Sequence, residues 1–320
     1  MATTLTFGPA ARLRTYAAFV RFEHTLFSLP LILAGVFCVS GRAMGVARWA
    51  WTAVAAVGGR TAAMAINRIV DRRLDALNPR TLRRELPSGA MTTTEAVLLL
   101  GASAGAYVAA CAALGPWYLR VSPVPLAVFT LYPYLKRWTP LCHFGVGVAL
   151  ALAPLAGYAA AHPDLATPGP ALALALFALA WVSGFDIIYA TLDLEFDRAH
   201  GLHSMPAWLG RKRALLVAAV LHVIAFAQLV ALAIAGWGAR QLFPPGLPWA
   251  LPVMATLLAV AGVLLLLEQR WAEDVNLAFF KVNVWVGFAV LAVVLFSRYV
   301  RGDFFPAVTA AVRPLVVPRF

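Results

Sequence analysis

Residues 214–239 read ALLVAAVLHVIAFAQLVALAIAGWGA, with Arg211, Lys212 and Arg213 before them and Arg240 after. No acidic or basic side chain interrupts the run. A helix of roughly 17–25 apolar residues crosses a bilayer, so this segment is long enough to span one. In hydrocarbon its backbone polar groups need internal partners, which a helix supplies. A closed barrel would show apolar and polar residues in alternation, and none is visible here.

The same reading extends along the chain. Residues 24–41, 96–119, 138–163, 165–185, 241–267 and 282–297 also lack Asp, Glu, Lys and Arg. Residues 121–135 form a shorter run, closed by Lys136 and Arg137, whose long stems can reach the interface. Residues 49–70 are apolar apart from Arg60, Asn67 and Arg68. The expected fold is all-α: a polytopic membrane bundle of about nine transmembrane helices. It forms a single domain over residues 1–320, with 1–20 as an N-terminal segment and 302–320 as a tail.

Composition agrees. The chain is 62% hydrophobic and 12% charged, against roughly 25% charged in soluble domains. So little charge cannot cover a water-facing surface, and lipid is the expected partner. The net charge of +12 does not point to nucleic acid, because the cations sit in loops between apolar runs. Most of them fall on one set of alternate loops. That bias predicts a cytoplasmic N-terminus in a cell inner membrane. The first run lacks a small-residue cleavage site and reads as a retained helix. Cys38, Cys111 and Cys142 lie in or beside apolar runs, so no disulfide framework is expected. Trp49, Trp51, Trp117, Trp138, Trp237 and Trp271 fall near span ends and suit an interfacial belt. No protein partner is inferred.

The acids are unevenly placed. Asp71 and Asp75 form one window, and Asp186, Asp193, Glu195 and Asp197 a second. Both lie at ends of membrane helices, where ionisable groups are costly and functional by default. Asn67, Asp71 and Asp75 are one turn apart and share a helix face, with Arg60 two turns earlier. Asn78-Pro79 stops that helix, and Arg80, Thr81, Arg84 and Pro87-Ser88-Gly89 follow as a basic loop. On a continuous helix Asp186, Asp193 and Asp197 also share a face, with Glu195 off it. Asp71 and Asp75 match Asp193 and Asp197 at one constant offset, as in a divergent duplication. On the expected topology the two windows lie at the same membrane face.

So many carboxylates repel one another unless a cation joins them. Mg²⁺ prefers hard oxygen ligands and shares its shell between carboxylates and substrate phosphates. Arginine and lysine suit the remaining phosphate oxygens. The mixture therefore predicts a metal–diphosphate site. The bland alternative for the first window is a solvated helix end, with Asp71 and Asp75 paired to Arg72 or Arg84.

Three blocks now allow a resemblance to be named. Asn67, Asp71 and Asp75, followed by Arg80-Thr81, Arg84 and Leu86-Pro87-Ser88-Gly89, resemble the first motif of the UbiA family of membrane prenyltransferases. Tyr132-Pro133 and Lys136-Arg137-Trp138-Thr139 resemble its middle segment. Asp186, Tyr189-Ala190, Asp193 and Asp197 resemble its second motif. Within the family the look is closest to 4-hydroxybenzoate polyprenyltransferases of quinone biosynthesis. Phe22-Glu23-His24-Thr25 and Gly201-Leu202-His203-Ser204-Met205-Pro206 resemble a branch serving menaquinone formation by the futalosine route. His203 stands where ubiquinone enzymes commonly carry a lysine.

The resemblance implies a central cavity capped by cytoplasmic loops. It implies Mg²⁺ held by Asp71, Asp75, Asp193 and Asp197, with Asn67 and Asp186 assisting. Arg80, Arg84 and Lys136 would contact the diphosphate, and Arg137 and His203 belong to the same substrate-binding set. Arg60, deeper in its helix where a lone cation is costly, would either contact substrate or pair with an acid such as Asp71. Tyr132 and Tyr189 would face the allylic cation. The implied activity is Mg²⁺-dependent transfer of a polyprenyl group from polyprenyl diphosphate to a small aromatic acceptor such as 4-hydroxybenzoate, with Asp186 or Asp193 taking the proton. The competing readings are a sibling prenyltransferase with another acceptor, an ion-coupled transporter and a membrane scaffold.

Overall fold

A computed structural model describes residues 9–21, 25–39, 44–237, 249–271 and 278–300. The expected features at Phe22-Glu23-His24 and in the 302–320 tail lie outside these residues. Every described element is helical: α1 (Pro9–Phe19), α2 (Thr25–Phe37), α3 (Val46–Leu77), α4 (Thr93–Leu114), α5 (Pro116–Val121), α6 (Pro123–Leu135) and α7 (Cys142–Ala161). Then come α8 (Gly169–Ala190), α9 (Leu194–Ala199), α10 (Met205–Leu209), α11 (Arg211–Trp237), α12 (Ala250–Arg270) and α13 (Ala278–Val300). The protein is an all-helical, multi-pass membrane protein.

The expected spans all appear as helices, but they differ in kind. Six helices among the described residues are long and apolar enough to cross a membrane: α4, α7, α8, α11, α12 and α13. The other three expected spans are α2, α3 and α6. α2 and α6 have only 13 residues each. α3 has 32 residues, but Arg60 interrupts its apolar half, so it does not qualify by composition.

Local chemistry sets the helix ends. Asn78 leaves α3 in an extended conformation, as the residue before a proline prefers. Thr92 and Glu95 form a reciprocal capping box at the start of α4. Pro116 and Pro123 open α5 and α6, where a missing N–H costs nothing. Ser204 accepts from the Ala207 N–H and starts α10.

The helices pack as a bundle. α3 lies against α4 and α6; α7 lies against α2, α6 and α8; α8 continues to α11; α13 joins α12 to α2. α8 is central, with 67% of its apolar window buried against 22% in α4, so α4 is a lipid-facing helix. Leu98, Val223 and Leu266 point outward and exposed, as lipid solvation requires. The core joins Leu174, Phe177 and Trp181 of α8 to Leu229, Leu265, Val286 and Val290. α2 and α7 touch backbone to backbone: a Cβ on Gly35 would stand 2.0 Å from the Pro154 carbonyl oxygen, and one on Gly157 2.0 Å from that of Ile32. Small residues permit such close crossings in membranes.

The cysteines are free and buried. Trp51, Trp138 and Trp271 are exposed, as a belt requires. Trp117 is exposed as well, and it also lines an internal cavity.

Candidate active site

The bundle holds a cavity of about 940 Å³. One face of α3 forms its long wall through Thr52, Ala56, Gly59, Arg60, Ala63 and Asn67, at helical spacing. The opposite wall comes from α7, and Phe129 and Tyr132 of α6 close one side. Phe185, Asp186 and Tyr189 of α8 and Arg84 of the loop after α3 stand at one end. Trp117, Tyr118 and Ala160 stand at the other.

The acids gather at the Asp186 end, and each is held by a base or a polar neighbour. Asp71, 3% exposed, receives Lys136 Nζ at 2.5 Å and Arg137 Nη2 at 3.4 Å. Asp75 receives Arg84 Nη1 at 2.7 Å. Asp193 is gripped by Arg80 through Nε at 2.9 Å and through Nη2, and by Asn78 Nδ2 at 2.8 Å. Asp197 is buried beside Ser204, Asp193 and Lys136. Arg80 also donates to the Tyr189 hydroxyl at 2.6 Å and lies over its ring at 4.7 Å. Burial alone would lower the Arg80 pKa, but the bonds to Asp193 and Tyr189 outweigh it and raise it above its ordinary value. Arg80 is therefore a fixed cation.

The two acidic windows thus meet, because Asn78 and Arg80 at the end of the first reach Asp193 in the second. The bland alternative is realised only in part. Asp75 does pair with Arg84, but Asp71 and Asp75 are buried rather than solvated. Arg72 turns to the Ile69 carbonyl instead.

Three placements differ from a reading by spacing. α8 does not continue to Asp197: a single 3-10 turn, Thr191–Asp193, separates it from α9. The tighter turn breaks the shared face, so Asp186 lines the cavity while Asp193 and Asp197 sit in the loop layer. Arg137 spends donors on the Pro133 and Val70 carbonyls and so braces α6 against α3 behind Asp71. His203 is exposed. Its backbone N–H donates to the Lys136 carbonyl at 2.7 Å and its carbonyl accepts from Cys142 Sγ at 3.3 Å, pinning the loop over the site.

Other contributors carried no legible sequence signal. His143 of α7 lies 2.6 Å from Asp186 through Nδ1, and its Nε2 accepts from the Met205 N–H at 3.1 Å. That second bond makes Nε2 the acceptor, so Nδ1 carries the proton and donates to Asp186. Asn78, read only as a helix stop, is a partner of Asp193. Arg68 is buried in the cavity wall. Glu195 is exposed, as its position off the shared face predicts.

The donor chemistry fits Mg²⁺, since Asp71, Asp75, Asp193, Asp197 and Asn67 offer hard oxygens. Their arrangement is that of a site filled by cations of its own. Among the described residues no three acids, histidines or cysteines converge as a metal cluster. Lys136, Arg84 and Arg80 hold the carboxylates that a metal would need.

Comparison with known proteins agrees. The model of the UbiA prenyltransferase family matches residues 28–285. A 4-hydroxybenzoate octaprenyltransferase of Paracidovorax citrulli is 31% identical over 292 residues, covering 88% of this chain and 93% of that protein. The apo structure of a UbiA homolog from Aeropyrum pernix superimposes with a TM-score of 0.71 at 35% identity, covering 85% of this chain and 96% of that one. A UbiA homolog from Archaeoglobus fulgidus bound to GPP and Mg²⁺ has the same fold, with a TM-score of 0.66 at 18% identity over 90% of this chain and 99% of that one. The chain belongs to the UbiA family of prenyltransferases.

Proposed function

We propose that this prenyltransferase moves a polyprenyl group from polyprenyl diphosphate to an aromatic acid such as 4-hydroxybenzoate, forming a carbon–carbon bond ortho to the phenol. The observation that carries this reading is the shape of the cavity: a long, mostly apolar chamber with Asp186, Tyr189, Arg68 and Arg84 at one end, next to the paired acids and bases of the loop layer. An isoprenoid tail suits the chamber and a diphosphate suits the charged end. The Archaeoglobus homolog bound to GPP and Mg²⁺ supports the donor class, and the octaprenyltransferase relative supports the acceptor.

Asp71, Asp75, Asp193 and Asp197, with Asn67, would hold Mg²⁺, which would offset charge on the departing diphosphate. Lys136, Arg84 and Arg80 would leave their carboxylates for the phosphate oxygens, so the groups that now neutralise the acids become the diphosphate clamp. The allylic C–O bond breaks, and its electron pair leaves with the diphosphate. Tyr132, Tyr189 and Phe185 line the chamber at this level and offer π faces to the allylic cation. The phenol ring attacks, and its ortho proton leaves. Asp186, oriented by His143, is placed to accept the phenolic or ring proton. The loop pinned by His203 and the apolar walls keep out water, which would quench the cation.

The same reading takes α2, α3, α4, α6, α7, α8, α11, α12 and α13 as nine passages of one domain in the cell inner membrane. The N-terminus and the charged end face the cytoplasm. Purified protein offered several prenyl diphosphates and several aromatic acids, with Mg²⁺ or EDTA, provides the test, with products read by mass spectrometry. A prenylated aromatic acid formed only with Mg²⁺ is expected; transport without transfer would overturn the reading.

A further inference from the structure

Arg68 is a buried base at the charged end that the mechanism above does not use. It is 4% exposed, and its Nε and Nη1 atoms have no hydrogen-bond partner. It lines the cavity beside Asn67, about 4.5 Å along the α3 axis from Asp71. No neighbouring side chain fills those two donors. Arg21, Arg84, Asp75 and Glu85 are the charged groups that act on it; Asp75 is bonded to Arg84, and Glu85 acts on it without a hydrogen bond to Nε or Nη1. Lys136, Arg80 and Arg84 each hold a carboxylate at hydrogen-bond distance. A buried guanidinium with unfilled donors is costly unless something pairs with it. A fold keeps such a group where a ligand completes it.

We propose that Arg68 is an anion receptor in the wall of the reaction chamber, taking an oxyanion of a bound substrate. Two substrate groups have that chemistry: the carboxylate of an aromatic acid and the diphosphate of the donor. Both reach this level, since Tyr132 and Asp186 face the same space and Arg84 lines it too. The identity of the anion rests on the prenyl-transfer reading; the existence of the receptor does not.

The test uses the purified full chain in detergent, as wild type, Arg68→Gln and Arg68→Lys. Thermal unfolding is followed with three probes: 4-hydroxybenzoate, its methyl ester, and inorganic diphosphate with Mg²⁺. Ligand-free Arg68→Gln should unfold at the wild-type temperature or above it, because it removes an unfilled buried charge. Its apparent affinity for one anionic probe should fall by about tenfold or more, the worth of a charged hydrogen bond, and Arg68→Lys should fall between. Loss confined to the free acid, with the ester unaffected, assigns the carboxylate; loss confined to diphosphate assigns the donor. Affinities within about twofold of wild type for both anions would overturn the inference. So would a ligand-free Arg68→Gln that unfolds earlier or fails to fold, because that marks a structural role. Wild type that binds anions through Arg68 yet transfers no prenyl group would sink the proposed function and leave this inference standing.

Discussion

Lys136 Nζ lies 2.5 Å from Asp71 Oδ2, joining the end of α6 to the acidic face of α3. The same pattern repeats at Arg84 with Asp75 and at Arg80 with Asp193. The charged end of the chamber is thus internally neutralised, and the diphosphate with its metal would displace both halves of each pair at once. On the proposed function, acid and base would have separate duties with substrate bound and share one, mutual neutralisation, without it.

That double duty predicts separable effects on turnover and stability. Asp71→Asn should lower kcat by about 10²-fold or more, because a charge aimed at the departing group is lost. Lys136→Met should also lose activity, and in addition destabilise the ligand-free protein by about 1–3 kcal/mol, since it strands a buried carboxylate. Added Mg²⁺ should restore part of the lost stability in Lys136→Met and none in the double variant with Asp71→Asn. Thermal unfolding with and without Mg²⁺ checks this. Equal behaviour of the two Lys136 backgrounds would show that the pair is ornamental.

On the proposed mechanism His143 would position Asp186. With Nε2 occupied by the Met205 N–H, only Nδ1–H is available to the carboxylate. His143→Ala should free Asp186 to rotate and cut kcat by about 10- to 100-fold, the range a displaced reacting group costs. KM for the prenyl diphosphate should stay within about twofold, because His143 bonds to none of the four aspartates proposed to hold the metal. His143→Asn, which can still donate, should recover part of the rate. A parallel rise in donor KM would assign His143 to the diphosphate instead.

How much of this was legible in the chain differs by scale. The helices were legible because long uncharged runs favour helices in hydrocarbon, and even the short run at 121–135 appears as α6. The motif residues were legible because Asn67, Asp71 and Asp75 repeat at one turn and Asp193 and Asp197 echo them. The pairings were not. Which base meets which acid depends on how α3, α6 and the loop after α3 cross, and spacing along one helix is silent on that. The face shared by Asp186 and Asp193 failed for a local reason: Thr191 Oγ1 bonds back to the Ile188 carbonyl where the chain tightens into a 3-10 turn. His143 and Asp186 meet across the α7–α8 contact and share no local signature.

The α2–α7 crossing yields a stability prediction. Gly35 and Gly157 each face a carbonyl oxygen of the other helix, at 2.0 Å from an added Cβ. Backbone cannot move aside as a side-chain tip can, so the helices must separate. Gly35→Ala or Gly157→Ala should destabilise the protein by about 1–3 kcal/mol or more. Since α7 also forms a wall of the chamber, activity at low temperature should fall as well. Gly45→Ala, which meets nothing within 4 Å, is the control. Detergent unfolding that leaves all three variants alike would contradict the crossing.

The far end of the chamber predicts a limit on prenyl length. From Asn67 to Thr52 the α3 wall runs about 22 Å, and there the chamber meets Tyr118. Arg48 locks this end by donating to the Tyr118 hydroxyl and to the Ala160 carbonyl, both at 2.5 Å, while Tyr118 donates to the Ala159 carbonyl at 2.7 Å. The clasp ties α3, α5 and α7 together where the tail would stop. Each further CH₂ buried is worth about 0.8 kcal/mol, so one isoprene unit gained or refused is worth tenfold or more in kcat/KM. Tyr118→Ala should therefore raise kcat/KM for donors longer than the best wild-type donor while leaving shorter ones near wild type. Competition between prenyl diphosphates of graded length, read by mass spectrometry, measures the shift. An unchanged length profile would mean that the tail leaves sideways between helices into lipid, and that the clasp only braces the fold.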